Sequence, residues 1–233
     1  MYQTLLLGGF MLAGLAGCLE DSSEQSHQLT VTWDFAVDAD GWTGDFADYP
    51  VGEASDYELI FEHTMLPSPL DIAEGALILS GMNMSDDLFM FIKTKVSGLK
   101  PRTTYRANFT VEFASDVPDN QAGVGGSPGE SVWIKAGATT VEPVPQEDEM
   151  GYYRMNIDKG GQSQGGSDMV VLGDFSNDTD REVYTLITVN NDLPFMVTTD
   201  SIGGLWVIAG TDSGFEATTK IFYNTVRVSF VQK

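Results

Sequence analysis

Gly98-Leu99-Lys100-Pro101-Arg102-Thr103-Thr104-Tyr105, running on into RANFTVEFA (106–114), decides the fold class of this chain. Gly98 and Pro101 punctuate the chain, because glycine tolerates left-handed backbone and proline fixes φ. From Thr104 onward polar and apolar residues alternate one by one. Thr104, Arg106, Asn108, Thr110 and Glu112 form the polar set; Tyr105, Ala107, Phe109, Val111 and Phe113 form the apolar set. Successive side chains on a strand point to opposite faces, so this is a long, half-buried β-strand.

The same period recurs outward from this segment. Val226, Val228 and Phe230 alternate with Arg227 and Ser229 near the end of the chain. Other β-rich runs are 29–35, 57–62, 76–82, 88–96, 130–136, 152–157, 169–172, 183–189, 195–198, 205–209 and 218–223. Glycine, proline, aspartate and asparagine cluster between them, as turns require. No dozen-residue window beyond the N-terminal apolar run shows sustained helical spacing. About a dozen strands with turn-rich connections predict an all-β, two-sheet antiparallel sandwich of jelly-roll type. No linker, repeat or charge block divides residues 29–233, which read as one domain.

Composition excludes several functions. Twelve Lys and Arg face 34 Asp and Glu, a net charge of −22. Nucleic-acid affinity comes largely from basic residues at phosphates, so nucleic acid is not a partner. Hydrophobic residues at 42% and aromatics at 11% suffice for a core. The histidines are His27 and His63, and His63 sits in the strand-like LIFEHTML as an ordinary, partly buried residue.

The N-terminus carries its own signal. Residues 5–16 are apolar but shorter than the ~20 needed to span a bilayer. They end in Leu15-Ala16-Gly17-Cys18, small residues before the single cysteine, the pattern of a secretory signal. These four residues resemble the lipobox of bacterial lipoproteins, although Met1–Thr4 carry no Lys or Arg. The resemblance implies a signal peptide over 1–17, a lipid on Cys18 as the new N-terminus, and a polar lipidated tether over 18–28. The lipid would make the membrane a partner. Leu19, where retention in the inner membrane would need Asp, places the protein in the bacterial cell envelope at the outer membrane. With Cys18 lipidated, no thiol remains for disulfides, zinc or nucleophilic catalysis.

The opening G-L-K-P-x-T-x-Y resembles jelly-roll carbohydrate-binding modules of bacterial secreted proteins. Tyr223-Asn224-Thr225-Val226-Arg227-Val228 is similar to their closing strand, with Asn224 where an acidic residue is common. The resemblance implies a galactose-binding-like sandwich, a glycan ligand and, in many members, a structural calcium near the first strand.

DADGWTGDFADYP (38–50) is the place to look for that calcium. It is not an EF-hand: counting from Asp38, Trp42 and Thr43 fill positions that need an oxygen ligand and glycine. Asp38 and Asp40 are the candidate calcium ligands, against the alternative of a solvated Asp-Gly turn. For a glycan, the candidates are the aromatics outside clean alternation, Trp42, Tyr49, Tyr152 and Tyr153, with Asp45, Asn156 and Asp158 beside them. Trp133 and Trp206 read as core. The glycine-rich stretches 123–129 and 159–167 lack the Lys-Ser/Thr ending of a phosphate loop. Asp212 and Glu216 fall in a polar loop over 210–216.

No catalytic residues are assigned. Glu62, Glu112, Asp168, Asp174 and Glu216 are all conceivable glycosidase acids, yet no local motif pairs two of them. The reading is a non-catalytic binding domain. Its alternatives are a structural or adhesive surface lipoprotein and, after that, a glycoside hydrolase.

Overall fold

The computed structural model describes residues 27–70 and 73–233. The signal segment and Cys18 lie outside the described residues. Fifteen strands are described: β1 (Gln28–Asp34), β2 (Thr43–Ala47), β3 (Tyr49–Pro50), β4 (Ile60–Met65), β5 (Gly75–Met82), β6 (Leu88–Val96), β7 (Thr104–Ser115), β8 (Val132–Thr139), β9 (Pro145–Glu147), β10 (Tyr152–Met155), β11 (Met169–Asp174), β12 (Thr185–Asn190), β13 (Phe195–Thr198), β14 (Leu205–Ser213) and β15 (Thr218–Gln232). Among the described residues there is no helix.

Of the fifteen strands, β3, β9 and β10 form a small third sheet, and the other twelve form two antiparallel sheets. One runs β12-β7-β15-β5-β4, with β13 also on β7 and β1 also on β15. The other runs β11-β8-β14-β6-β2. The chain crosses between the sheets at β5–β6–β7–β8 and again at β13–β14–β15, the jelly-roll connection expected from the sequence. Tyr105, Phe109, Val111 and Phe113 of β7 pack with Met90, Ile92, Ile134 and Val207 of the facing sheet in one core. Burial of this apolar area, worth about 25 cal/mol per Å², holds the sheets together. The polar set of β7 stays on the outer face, with Arg106 and Asn108 exposed.

Two departures from the sequence reading matter. The acidic stretch 38–50 is not only a loop, because β2 and β3 lie inside it. Phe46 and Ala47 are buried, and β2 pairs with β6 as an edge strand. Short strands that hold Gly and Asp carry too little alternation to be legible.

The second departure is a third layer. β6 is buried on both faces: Met90 and Ile92 face the main core, while Phe89 and Phe91 face outward. The outward pair packs with Ala47, Ile157, Met169 and Ile208 in a second cluster. The small sheet β3-β10-β9 and the segment after it therefore cover part of this sheet's outer face. Alternation also turns Trp133 and Trp206 to that outer face, half-buried, rather than into the core expected for them. The Trp206 ring lies 5.6 Å from Lys93 Nζ and 6.0 Å from Lys95 Nζ.

Candidate functional site

A cleft of about 590 Å³ opens over the outer face of the β6-containing sheet. Asp48, Asp86, Asp87, Arg154, Lys159 and Gln162 are among its lining residues. Four pieces of chain bring them together.

Asp48 stands between β2 and β3 with φ of 66°, and its N–H donates to Tyr153 O at 2.6 Å. Aspartate tolerates this left-handed geometry better than most residues. Asp86 and Asp87 sit on the β5–β6 connection. The buried Asn83 organises it: its Oδ1 accepts from Ser85 and Asp87 N–H, and its Nδ2 donates to Ser213 O and Phe215 O. Arg154 projects from β10, and Lys159 follows that strand.

Beneath the cleft the charges alternate. Arg154 Nη1 donates to Asp48 Oδ1 at 2.8 Å and to Asp87 Oδ2 at 2.9 Å. Lys159 Nζ lies 2.9 Å from Asp48 Oδ2 and 2.8 Å from Asp212 Oδ2. Lys135 Nζ reaches the same Asp212 oxygen at 2.8 Å. Three carboxylates thus meet three cations, which is what a low-dielectric site requires of buried charge. Burial, together with the Asp48 carboxylate, raises the Asp87 pKa. Burial works against the Lys159 charge, but Asp212 and Asp48 outweigh it and the pKa rises. Lys135 moves the other way, lowered mainly by desolvation.

The carboxylates of Asp48, Asp87 and Asp212 approach one another within 4.8 Å, close enough to suggest a metal centre. The chemistry of the donors argues otherwise, because the Lys159 ammonium already lies against Asp48 and Asp212. No comparable grouping of three acidic side chains forms around Asp38 and Asp40 among the described residues. There Asp38 Oδ1 accepts from Asp40 N–H at 2.7 Å, closing a turn that leads to Gly41 with φ of 78°.

The sequence-derived candidates scatter. Trp42 is only 3% exposed and packs edge-on against Trp33, ring centroids 5.1 Å apart. Tyr49 is 8% exposed, wedged between Tyr57 and Tyr153 at 5.4 and 5.2 Å. These two aromatics cannot form an open stacking floor; both fill space beneath the strands instead. Burial also pushes up the Tyr49 phenol pKa. Tyr153 is half-buried against the same core. Asp45 accepts from Phe46 N–H. Asn156 is structural, accepting from Val144 N–H and donating to Glu142 O, both at 2.8 Å.

Asp158 alone of the seven lines the cleft, where it accepts from Gly160 and Ser167 N–H. Tyr152 lies beside it, its ring 5.0 Å from the Arg154 guanidinium carbon. Asp212 is a buried residue of β14, not part of a loop. Glu62, Glu112, Asp168, Asp174 and Glu216 do not line the cleft.

Sequence reasoning missed Asp48, Asp87, Arg154, Lys159 and Lys135, and it placed Asp212 in a polar loop. A signal existed for one of them. Lys135 in VWIKAG is a charge set within an otherwise apolar strand, where a lone charge is costly and so implies a partner.

No family model and no curated protein matches the chain. Among solved structures, a family 11 carbohydrate-binding module of a Clostridium thermocellum cellulosomal cellulase is similar at 9% identity and a TM-score of 0.41, over 85% of this chain and 93% of that one. A carbohydrate-binding module in complex with β-1,4-galactotriose is similar at 12% identity and a TM-score of 0.34, over 80% and 86%. The enzymatically active domain of a bacteriophage tailspike protein is similar at 9% identity and a TM-score of 0.35 over 80% of this chain, which spans only 19% of that one. The fold assignment rests on the strand topology above, and the ligands named belong to those proteins.

Proposed function

We propose that this domain is a non-catalytic binding module for a neutral glycan, seated in the cleft beside Arg154 and Asp87. The observation that carries the reading is the Arg154–Asp87 pair. Both side chains are part-exposed, at 42% and 37%, and each is held at a fixed orientation by its partner. A guanidinium beside a carboxylate offers donors and acceptors side by side, which suits adjacent hydroxyl groups. The Tyr152 ring next to Arg154 supplies apolar area for a sugar face. The G-L-K-P-x-T-x-Y resemblance points the same way.

Charge narrows the ligand class. The cations of the cleft are already matched, while Asp86 and Asp158 add negative charge at its rim. Acidic glycans would meet repulsion there. Catalysis is disfavoured because a glycosidase needs two carboxylates facing each other across the substrate. Here one Arg154 nitrogen already bridges Asp48 and Asp87.

Binding of neutral and uronic oligosaccharides, measured by calorimetry, tests this. Neutral ligands should bind, and Arg154→Ala should weaken them at least tenfold. Absence of binding by the folded protein to any neutral glycan would overturn the reading.

Anchoring through a lipid on Cys18 belongs to the same proposal, with residues 1–17 as signal peptide and the module displayed from the outer membrane of a bacterial envelope. Full-length Cys18→Ala should leave the membrane fraction for the soluble one; continued retention would overturn the anchor.

A further inference from the structure

Lys135 is fully buried, yet it ends among more oxygens than an ammonium has protons. Its Nζ donates to Lys159 O at 3.1 Å, to Gln164 O at 3.0 Å, to Gly161 O at short range, and to Asp212 Oδ2 at 2.8 Å. Four oxygens surround a group with three N–H donors. Three are main-chain carbonyls of one loop, and the fourth belongs to a carboxylate that exposes no surface. The other oxygen of that carboxylate, Asp212 Oδ1, is buried without a hydrogen-bond partner. Convergent carbonyls and a buried carboxylate are the ligand set of a hard-cation site.

The loop is built for this arrangement. Gly160 has φ of 75°, and a Cβ there would overlap the Gln164 carbonyl oxygen and the Gly165 backbone. Only glycine lets the backbone fold so tightly with its carbonyls turned inward. Without a central cation, the Lys159 and Gln164 carbonyls would lose the donor they have in Lys135, whereas Gly161 O would keep Gln164 N–H at 3.2 Å. Gly210 stands opposite Lys135 on β14, and Asp212 lies two residues further along the same strand.

We propose that residues 159–164 and Asp212 form a cation site that the chain fills with its own Lys135 ammonium. Its natural occupant class is a primary ammonium, and it accepts a free one once the tethered group is removed. The site fixes Gly160, Gly161 and Gln162, which line the large cleft, but it stands whatever the cleft binds.

Lys135→Ala removes three methylenes and the ammonium, the atoms of n-propylammonium. Added n-propylammonium should raise the melting temperature of this variant by about 2–4 °C, a shift ordinary for one recovered interaction in a chain of this size. It should also restore hydrogen-exchange protection across 159–167. Neither propan-1-ol nor sodium chloride at matched ionic strength should do so, and the unmutated protein should not respond. Equal effects of n-propylammonium and propan-1-ol, or an equal response of the unmutated protein, would overturn the proposal.

Should the variant fail to fold, nitrogen-15 NMR of the unmutated protein decides. The Lys135 side chain should appear at neutral pH as a protonated ammonium with slow proton exchange. A neutral amine, or exchange as fast as that of exposed lysines, would overturn the proposal. None of these readouts uses a glycan, so this inference and the glycan reading fail separately.

Discussion

Lys135 Nζ and Asp212 Oδ2 lie 2.8 Å apart in the outer layer of the sandwich, and neither side chain exposes any surface. Asp212 also receives Lys159 at the same distance, so one carboxylate compensates two buried ammonium groups. Asp212→Ala should therefore be costly, because it leaves Lys135 in low dielectric with no carboxylate and Lys159 with Asp48 alone. Breaking a buried pair from one side costs about 3–5 kcal/mol. Urea denaturation should show a loss of that order; a loss within the range of an ordinary surface substitution would contradict the role given to Asp212.

Trp42 separates core from ligand platform. It is buried against Trp33 and Phe35 rather than open to solvent. Trp42→Ala should lower stability by about 3–5 kcal/mol, the usual cost of emptying a large aromatic site. Glycan affinity per folded molecule should stay unchanged. A variant of near-native stability with abolished binding would return Trp42 to the surface role its sequence position suggests.

Gly137 fixes the spacing of β8 and β11. A Cβ at this position would overlap the Asp168 carbonyl oxygen, main chain that cannot swing aside. Asp168 N–H in turn donates to Asp158 O at 3.0 Å, so the strain would pass into the loop beside the cleft. Gly137→Ala should cost about 1–3 kcal/mol, as overpacking does. Faster hydrogen exchange at 158–168 would locate the damage; unaltered exchange there would count against this coupling.

Asp87 supplies a pH signature. Its pKa in the folded chain is raised by burial, helped by the nearby Asp48 carboxylate. A raised value means that the folded state holds the proton more tightly than the unfolded chain does. The contribution of Asp87 to stability is thus fully present below the ordinary value of 3.8 and is lost as pH rises through the higher folded value. Asp87→Asn should remove this segment of the profile. The difference in unfolding free energy between the two proteins should change just above pH 3.8 and then level off. A flat difference across that range would refute the shift.

β7 was readable because ten residues of strict alternation leave one solution, a strand with one wet and one dry face. β2 was not readable, since Gly44 and Asp45 dilute its signal and an edge strand needs only Phe46 and Ala47 inside. Trp42 misled for a related reason: among four aspartates it looks exposed, whereas the turn formed by Asp38 and Asp40 leads the chain back toward Trp33.

By itself the sequence determined the β class, the inward and outward sets of β7, and a charge balance that turns polyanions away. Those properties are local or additive, and period and composition report them directly. Only the tertiary structure decided which acids matter. Asp48, Asp87 and Asp212 come from three distant parts of the chain and meet three cations under one loop. Alternation reveals which face of a strand is buried, but not which segment covers it. In this protein the covering segment, residues 152–168, builds the candidate site.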